Sequence, residues 1–265
     1  MDTLTMIQNE IDKRDKRYKV MDRTRDRVYN TPYVMTKLDG KTPLDDVVNV
    51  TMPYAPIIAN TVINDIMESF LQVVIEGDIS ATQNNYIEGF LRDNREETDE
   101  ILRKLGFPPL FEWWSNHVCI RSYIGVRWVS QIVDGQYVID CLPVDMRYTP
   151  YEYGNDGKNW VANITYRSES EIRAEYAKEL EKKGHNTLRS TKLDIEVKDW
   201  WSTEKNEVYI DDVLIREQKN PFDEPPFVIS APATGFMLRD KGYIEHESED
   251  ILFLIRDVLD EINRS

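Results

Sequence analysis

Between Leu193 and Glu217 the chain reads LDIEVKDWWSTEKNEVYIDDVLIRE, three runs in which apolar and polar residues alternate, divided by short clusters of turn-forming residues. Successive side chains of an extended strand point to opposite faces, so Leu193, Ile195 and Val197 share one face while Asp194, Glu196 and Lys198 share the other. Three such runs in succession, with a turn at Asp211-Asp212, bury their apolar sides together as an antiparallel meander with one face against a core. A second instance precedes it: VRWVSQIV and QYVIDCLPV flank Asp134-Gly135, a favoured two-residue hairpin turn. Short strands are also expected near Met146 to Thr149, over Trp160 to Tyr166, and in FVIS, where Pro221, Pro225 and Pro226 prevent a helix on the approach.

The other period in the sequence is helical. From Pro53, apolar residues recur at Ala55, Ile58, Ala59, Val62, Ile63, Ile66, Phe70 and Leu71, and the segment then turns extended in LQVVIEGD. A second helix is expected from about Asn84 to Leu105, with Ile87, Leu91, Ile101, Leu102 and Leu105 on one side and Gly106 and Pro108 as its stop. Phe111 to Tyr123 is also expected to be helical. Ser168-x-x-Glu171 is a capping box ahead of Ile172, Tyr176, Ala177 and Leu180, and Lys182, Lys183 and Gly184 close that helix. A last helix should begin near Ser248, with Glu249 and Asp250 in its first turn, and run to Ser265.

Residues 1–30 hold six acidic and eight basic positions, which points to a solvated helix or loose arm. The expected fold is therefore α+β: a charged arm over 1–45, a body over 46–245, and a long terminal helix over 246–265. In the body, helices 54–72 and 84–105 should pack on an antiparallel sheet that includes residues 125–142 and 194–217.

Charge and chemistry narrow the function. Thirty-three Lys and Arg against 48 Asp and Glu give a net charge of −15, which argues against a surface that coats nucleic acid or binds anionic membrane. The longest apolar stretch, Tyr54 to Val74, is broken by Asn60, Asn64, Asp65 and Glu68, so no membrane span is expected. Cys119 and Cys141 form no CxxC pair and are expected as reduced thiols in a cytosolic setting. Asp194, Glu196 and Lys198 resemble the Glu-x-Lys strand with which metal-dependent nucleases hold a divalent ion. That chemistry needs a second carboxylate from a neighbouring strand or turn, and Asp156 upstream is separated by a strand and a helix. The strand alternation already accounts for all three residues. His117, His185 and His246 stand at no metal-ligand spacing, and GxGxxG, GxxxxGK[ST] and GxSxG motifs are absent. The tryptophan pairs Trp113-Trp114 and Trp200-Trp201 are expected in the core rather than as base-stacking platforms. No catalytic residue, metal or cofactor is assigned.

Four stretches, taken in order, carry a family resemblance. They are MPYAPIIANTVINDIMESFLQVVIEGD, then GVRWVSQIVDGQYVIDCLPVDMRYTPYEYG, then NWVANITYRSESEIRAEYAKEL, and finally NPFDEPPFVIS with EHESEDILFLIRDVLDEINRS. Together they resemble the N-terminal half of a portal protein, the head-to-tail connector of tailed bacteriophages. The resemblance implies a non-enzymatic subunit of a dodecameric ring at one capsid vertex, a virion component assembled in the host cytoplasm. Such a ring is the conduit for DNA packaging and ejection. It contacts capsid protein, the terminase, the tail adaptor and the double-stranded DNA in its channel.

Residues 46–245 would be wing and 246–265 the start of the stem. Family members continue into a clip, a second stem helix, a tunnel loop and a crown, which implies a truncated fragment or a short relative. No DNA-contact residue is carried over. The stripe of Ile251, Leu254, Ile255, Val258 and Leu259, with Phe253 off its line, is expected to pack between subunits. The isolated chain should then be monomeric or weakly associated. Glu245 to Ser265 holds seven acidic and two basic residues, a charge that would let DNA slide past. The alternatives are a metal-dependent nuclease using Asp194, Glu196 and Lys198, and a generic virion adaptor domain.

Overall fold

The computed structural model describes residues 2–39, 41–44, 46–69, 80–133, 136–183, 194–231 and 248–264. It is an α+β protein with seven helices and two antiparallel sheets among those residues. The first part of the chain forms α1 (Thr3–Lys13), α2 (Asp15–Val28), α3 (Tyr54–Glu68), α4 (Ala81–Lys104) and α5 (Leu110–Arg121). Next come β1 (Ile124–Val133), β2 (Gln136–Pro143), β3 (Tyr151–Tyr153), β4 (Lys158–Arg167) and α6 (Glu169–Lys182). The last part gives β5 (Ile195–Ser202), β6 (Lys205–Ile210), β7 (Val213–Lys219), β8 (Phe227–Ser230) and α7 (Arg256–Arg264). Two compact units interleave along the chain: Met1–Asp15, Val126–Trp128 and Val144–Val228 form one, and Lys16–Gly125, Val129–Pro143 and Ile229–Ser265 the other.

The first unit is built on a five-stranded sheet of order β3-β4-β5-β6-β7. Each strand pairs antiparallel with the next, which is the expected meander extended at one side by β3 and β4. Its alternation has two covered faces. Ile195, Val197, Val208, Ile210 and Ile215 pack under Ile172, Tyr176 and Leu180 of α6. On the opposite face Trp160, Ala162, Ile164 and Trp200 receive Ile7 of α1, with Met6 and Ile11 beside it. The capping box that opens α6 is formed as expected: Ser168 Oγ accepts from Glu171 N–H at 3.4 Å, and Glu171 Oε2 accepts from Ser168 N–H at 2.8 Å. Asp211 and Asp212 make the β6–β7 turn with φ of 45° and 65°, a left-handed pair that matches the twist of a tight hairpin.

The second unit gathers α3 and α5 around Ala55, Ala59, Ile63, Cys119 and Ile120, joined by Val28, Leu252 and Leu259. Helix α4 opens with a Ser80–Gln83 capping box and stops at Gly106, whose φ of 80° suits a residue without Cβ. The smaller sheet has the order β2-β1-β8. The expected β1–β2 hairpin is present, while its Asp134-Gly135 turn, LQVVIEGD after α3 and Gly184 lie outside the described residues.

Five expectations are corrected. Thr3–Lys13 and Asp15–Val28 are helical, but part of their surface is covered rather than solvated: Ile7, Glu10, Arg14, Arg17, Tyr18, Met21 and Thr24 are all buried. Charged groups there are covered because they are paired, as where Arg14 Nε bonds Glu10 at 2.8 Å and stacks on Tyr151 at 4.2 Å. Residues 125–142 and 194–217 belong to different sheets, since side-chain alternation says nothing of which backbone edge a strand joins. Met146–Tyr148 is a 3-10 turn rather than a strand, fixed by Asp145, whose carboxylate accepts from Arg147 N–H at 2.9 Å. On α4 the inward positions are Asn94, Thr98 and Leu102, whereas Ile87, Leu91 and Leu105 are exposed. The terminal helix is short: Phe253–Ile255 is a 3-10 turn and α7 begins only at Arg256.

Candidate functional site

The strand that invited a nuclease interpretation is built as an ion cluster. Ile195 and Val197 are fully buried, which leaves Asp194 exposed and Glu196 and Lys198 on the other face of β5. The Lys198 ammonium contacts both Glu196 and Asp212, the latter at 2.5 Å, and its side chain is only 13% exposed. Tyr166 donates to Glu196 at 3.2 Å. The second carboxylate at this cluster is therefore Asp212, in the β6–β7 turn, and not Asp156. Sequence inspection located the Asp211-Asp212 turn, but register decides which residue it delivers: Lys198 pairs with Tyr209 across β5 and β6. Burial alone would lower the Lys198 pKa, yet its bonds to Asp212 and Glu196 hold it above the ordinary lysine value. A lysine kept charged in this way neutralises two carboxylates and is unsuited to accept a proton near neutral pH.

His117 Nδ1 lies 3.2 Å from the Trp113 carbonyl, and its ring stacks on Trp113 at 3.9 Å between centroids. His185 and His246 fall outside the described residues. Trp200 and Trp201 are buried and offer no stacking surface. Cys119 and Cys141 are buried and neither is in a disulfide, and burial pushes the Cys119 thiol up to about 11. No group of three or more His, Cys, Asp or Glu among the described residues is arranged to hold a metal ion. No described helix is long and apolar enough to cross a membrane.

The terminal segment has the most elaborate support in the second unit. Ser248 Oγ donates to the Ser122 carbonyl at 2.7 Å, and Ser122 adopts a left-handed φ of 58° just after α5. Glu249, 3% exposed at its side chain, lies 3.0 Å from Arg256 and 4.0 Å from Arg17 of α2. Arg17 also donates to Ser122 Oγ. Asp250 accepts from Thr24 at 2.7 Å, and Asp260 takes two bonds of 2.8 Å from Arg27. Asn263 accepts from Met52 N–H at 3.0 Å. A buried charge costs too much to persist unless paired, so these residues fix where the segment lies. Sequence inspection missed Arg17, Thr24, Arg27 and Glu249 as partners, because a helix so dense in charge gives no sign of which ions face inward.

The six residues expected between subunits divide into two sets. Leu259 is buried, and Ile251 and Ile255 pack on the α3–α5 core with it. Leu254, in the 3-10 turn, and Val258, in α7, are 86% and 56% exposed. Phe253 is half-buried, with the Arg256 guanidinium 4.7 Å from its ring. Part of the stripe is thus consumed within the chain, and the outer part is left for solvent or a partner.

A scan of the sequence against protein-family models found no match, and a search of curated proteins found none either.

Proposed function

We propose that this chain is a structural, non-enzymatic subunit of a bacteriophage portal ring, sited at the capsid vertex of the virion. In that role it would contact further copies of itself, capsid protein, terminase, tail adaptor and the double-stranded DNA that the ring conducts. The observation that carries the proposal is the two-sided terminal segment. Its inner side is fixed by Glu249, Asp250, Leu252, Leu259 and Asp260, while Leu254, in the 3-10 turn, and Val258, in α7, are exposed. A segment held firmly on one side with exposed apolar residues beside it suits a neighbour packed against it. The α+β build and the order of elements over the four resembling stretches support the same interpretation.

Native mass spectrometry on the product of the complete reading frame tests it. A closed cyclic oligomer is expected, and a species strictly monomeric at high concentration overturns the proposal. The competing interpretation, a metal-dependent nuclease, draws on Asp212 as the second carboxylate beside Glu196 and Lys198. It requires DNA cleavage that depends on Mg²⁺ or Mn²⁺ and is lost in Glu196→Ala.

A further inference from the structure

The turn Gly154-Asn155-Asp156-Gly157 joins β3, an edge strand of the larger sheet, to β4. All four residues are exposed. Gly154 N–H donates to the Gly157 carbonyl at 2.7 Å, which closes the turn, and Gly157 has a φ of 134°, a conformation that a residue with a Cβ rarely takes. Among the described residues no hydrogen bond or ion pair holds the Asp156 carboxylate, and the Gly157 N–H donates to no acceptor. A side-chain acid and the main-chain nitrogen that follows it thus stand side by side, both unengaged, with no Cβ on the glycine to obstruct that nitrogen.

The chain has three Asp-Gly pairs, at 39-40, 134-135 and 156-157. Gly40 and the pair at 134-135 lie outside the described residues, but Asp39 is described, and its carboxylate is fully engaged. It accepts from Lys41 N–H and Thr42 N–H, both at 2.9 Å, and from Thr42 Oγ1 at 2.5 Å. The Thr42 hydroxyl above all, with the two backbone donors, lowers the Asp39 pKa to about 2. Aspartate binding its own backbone two residues on is the usual device of such a turn.

We propose that Asp156 is a site of spontaneous main-chain rearrangement to isoaspartate in the folded protein, and that the turn around Asp39 protects that residue from the same reaction. The Gly157 nitrogen gives up its proton and bonds to Cγ of Asp156; the Cγ–OH bond of the neutral acid breaks, and water leaves as a succinimide ring closes. Water then adds back. Breaking the new N–Cγ bond restores aspartate, whereas breaking the bond from that nitrogen to the main-chain carbonyl carbon of Asp156 leaves the chain running through Cβ and Cγ. One water is lost and one gained, nothing is oxidised, and the mass is unchanged. Only the neutral acid loses water in this way, so an acid held ionised, as Asp39 is, reacts more slowly. The product adds a methylene to the main chain beside the Tyr153↔Lys158 pair, where the β3–β4 register already shifts. None of this depends on the ring interpretation.

The whole chain, kept folded at neutral pH and physiological temperature, tests the proposal by peptide mapping with fragmentation that distinguishes isoaspartate from aspartate at equal mass. Isoaspartate should build up at Asp156 roughly tenfold faster than at Asp39 or more. In concentrated urea, where the turn bonds of Asp39 are lost, the two rates should converge. Equal rates in the folded chain, or no product at Asp156, overturn the proposal. A difference that persists unchanged in urea overturns it too, since the selectivity would then come from the neighbouring sequence and not from the fold. So does a product confined to Asn155, which is recognised by its gain in mass on loss of the amide.

Discussion

Glu207 illustrates how one residue can tie a helix to a sheet. Its carboxylate is buried, accepts from Thr3 Oγ1 at 2.7 Å and Tyr209 Oη at 2.8 Å, and contacts the Lys205 ammonium. Burial alone would raise its pKa, but the bonds from Lys205, Thr3 and Tyr209 outweigh burial and hold it below the ordinary glutamate value. Burial also carries Tyr209 up to about 12, with Glu207 beside it adding to the rise. A carboxyl whose pKa is depressed on folding stabilises the folded state above its unfolded pKa of about 4.3, and that contribution is lost as pH falls through the folded value. Glu207→Gln should therefore lower stability near pH 7 by about 1–2 kcal/mol. Below about pH 4 the variant and the parent should converge, since the parent's advantage is lost on protonation. Urea unfolding at a series of pH values reads both effects, and a constant difference down to pH 2 would contradict the assignment.

Among the elements, α6 and α7 make contrasting predictions. Ser168→Ala removes the side-chain acceptor at the start of α6 and should cost about 1 kcal/mol, measured by chemical denaturation. In the terminal segment, Leu259→Ala opens the α3–α5 core and should cost about 2–5 kcal/mol, whereas Leu254→Ala should stay within about 0.5 kcal/mol. Equal effects at the two positions would mean that the segment does not hold its described orientation. The α6 cap was legible in the sequence because a capping box is local: four residues contain donor and acceptor alike. The start of α7 was not. Ile251, Leu254 and Ile255 carry helical spacing, but Asp250 takes the Leu252 N–H at 2.8 Å on its own carboxylate and diverts the backbone into a 3-10 turn. Aspartate competes for backbone donors in this way wherever its side chain can reach two residues on.

At the scale of the whole molecule, charge and connectivity dominate. With a net charge of −15 at pH 7 and an isoelectric point near 4.7, self-repulsion opposes association of copies at neutral pH and fades on acidification. Light scattering should accordingly rise between pH 7 and pH 5, in a range where the chain remains folded by circular dichroism; a flat profile would show that net charge does not govern association. Alternation made the meander and its α+β class readable, because each residue records which face it occupies. The split into two sheets was hidden for the same reason. Hydrogen bonds between strand backbones decide sheet membership, and they leave no mark on side-chain pattern. The interleaving of the two units was hidden as well, with residues 1–15 joining 144–228 across most of the chain.

That connectivity has a kinetic consequence. Every strand of the larger sheet pairs with its neighbour in sequence, from β3 through β7, and the β3–β4, β5–β6 and β6–β7 connections are short, so their closure is cheap in entropy, while α6 lies between β4 and β5. Helix α1 is the exception: it covers Trp160 and Trp200 of that sheet from the far end of the chain. During synthesis it leaves the ribosome well before β4 and β5, and Ile7 has nothing to pack on until they have followed. A helix made that far ahead of its sheet is seated late, and the emission of Trp160 and Trp200 should mark its arrival as a late step.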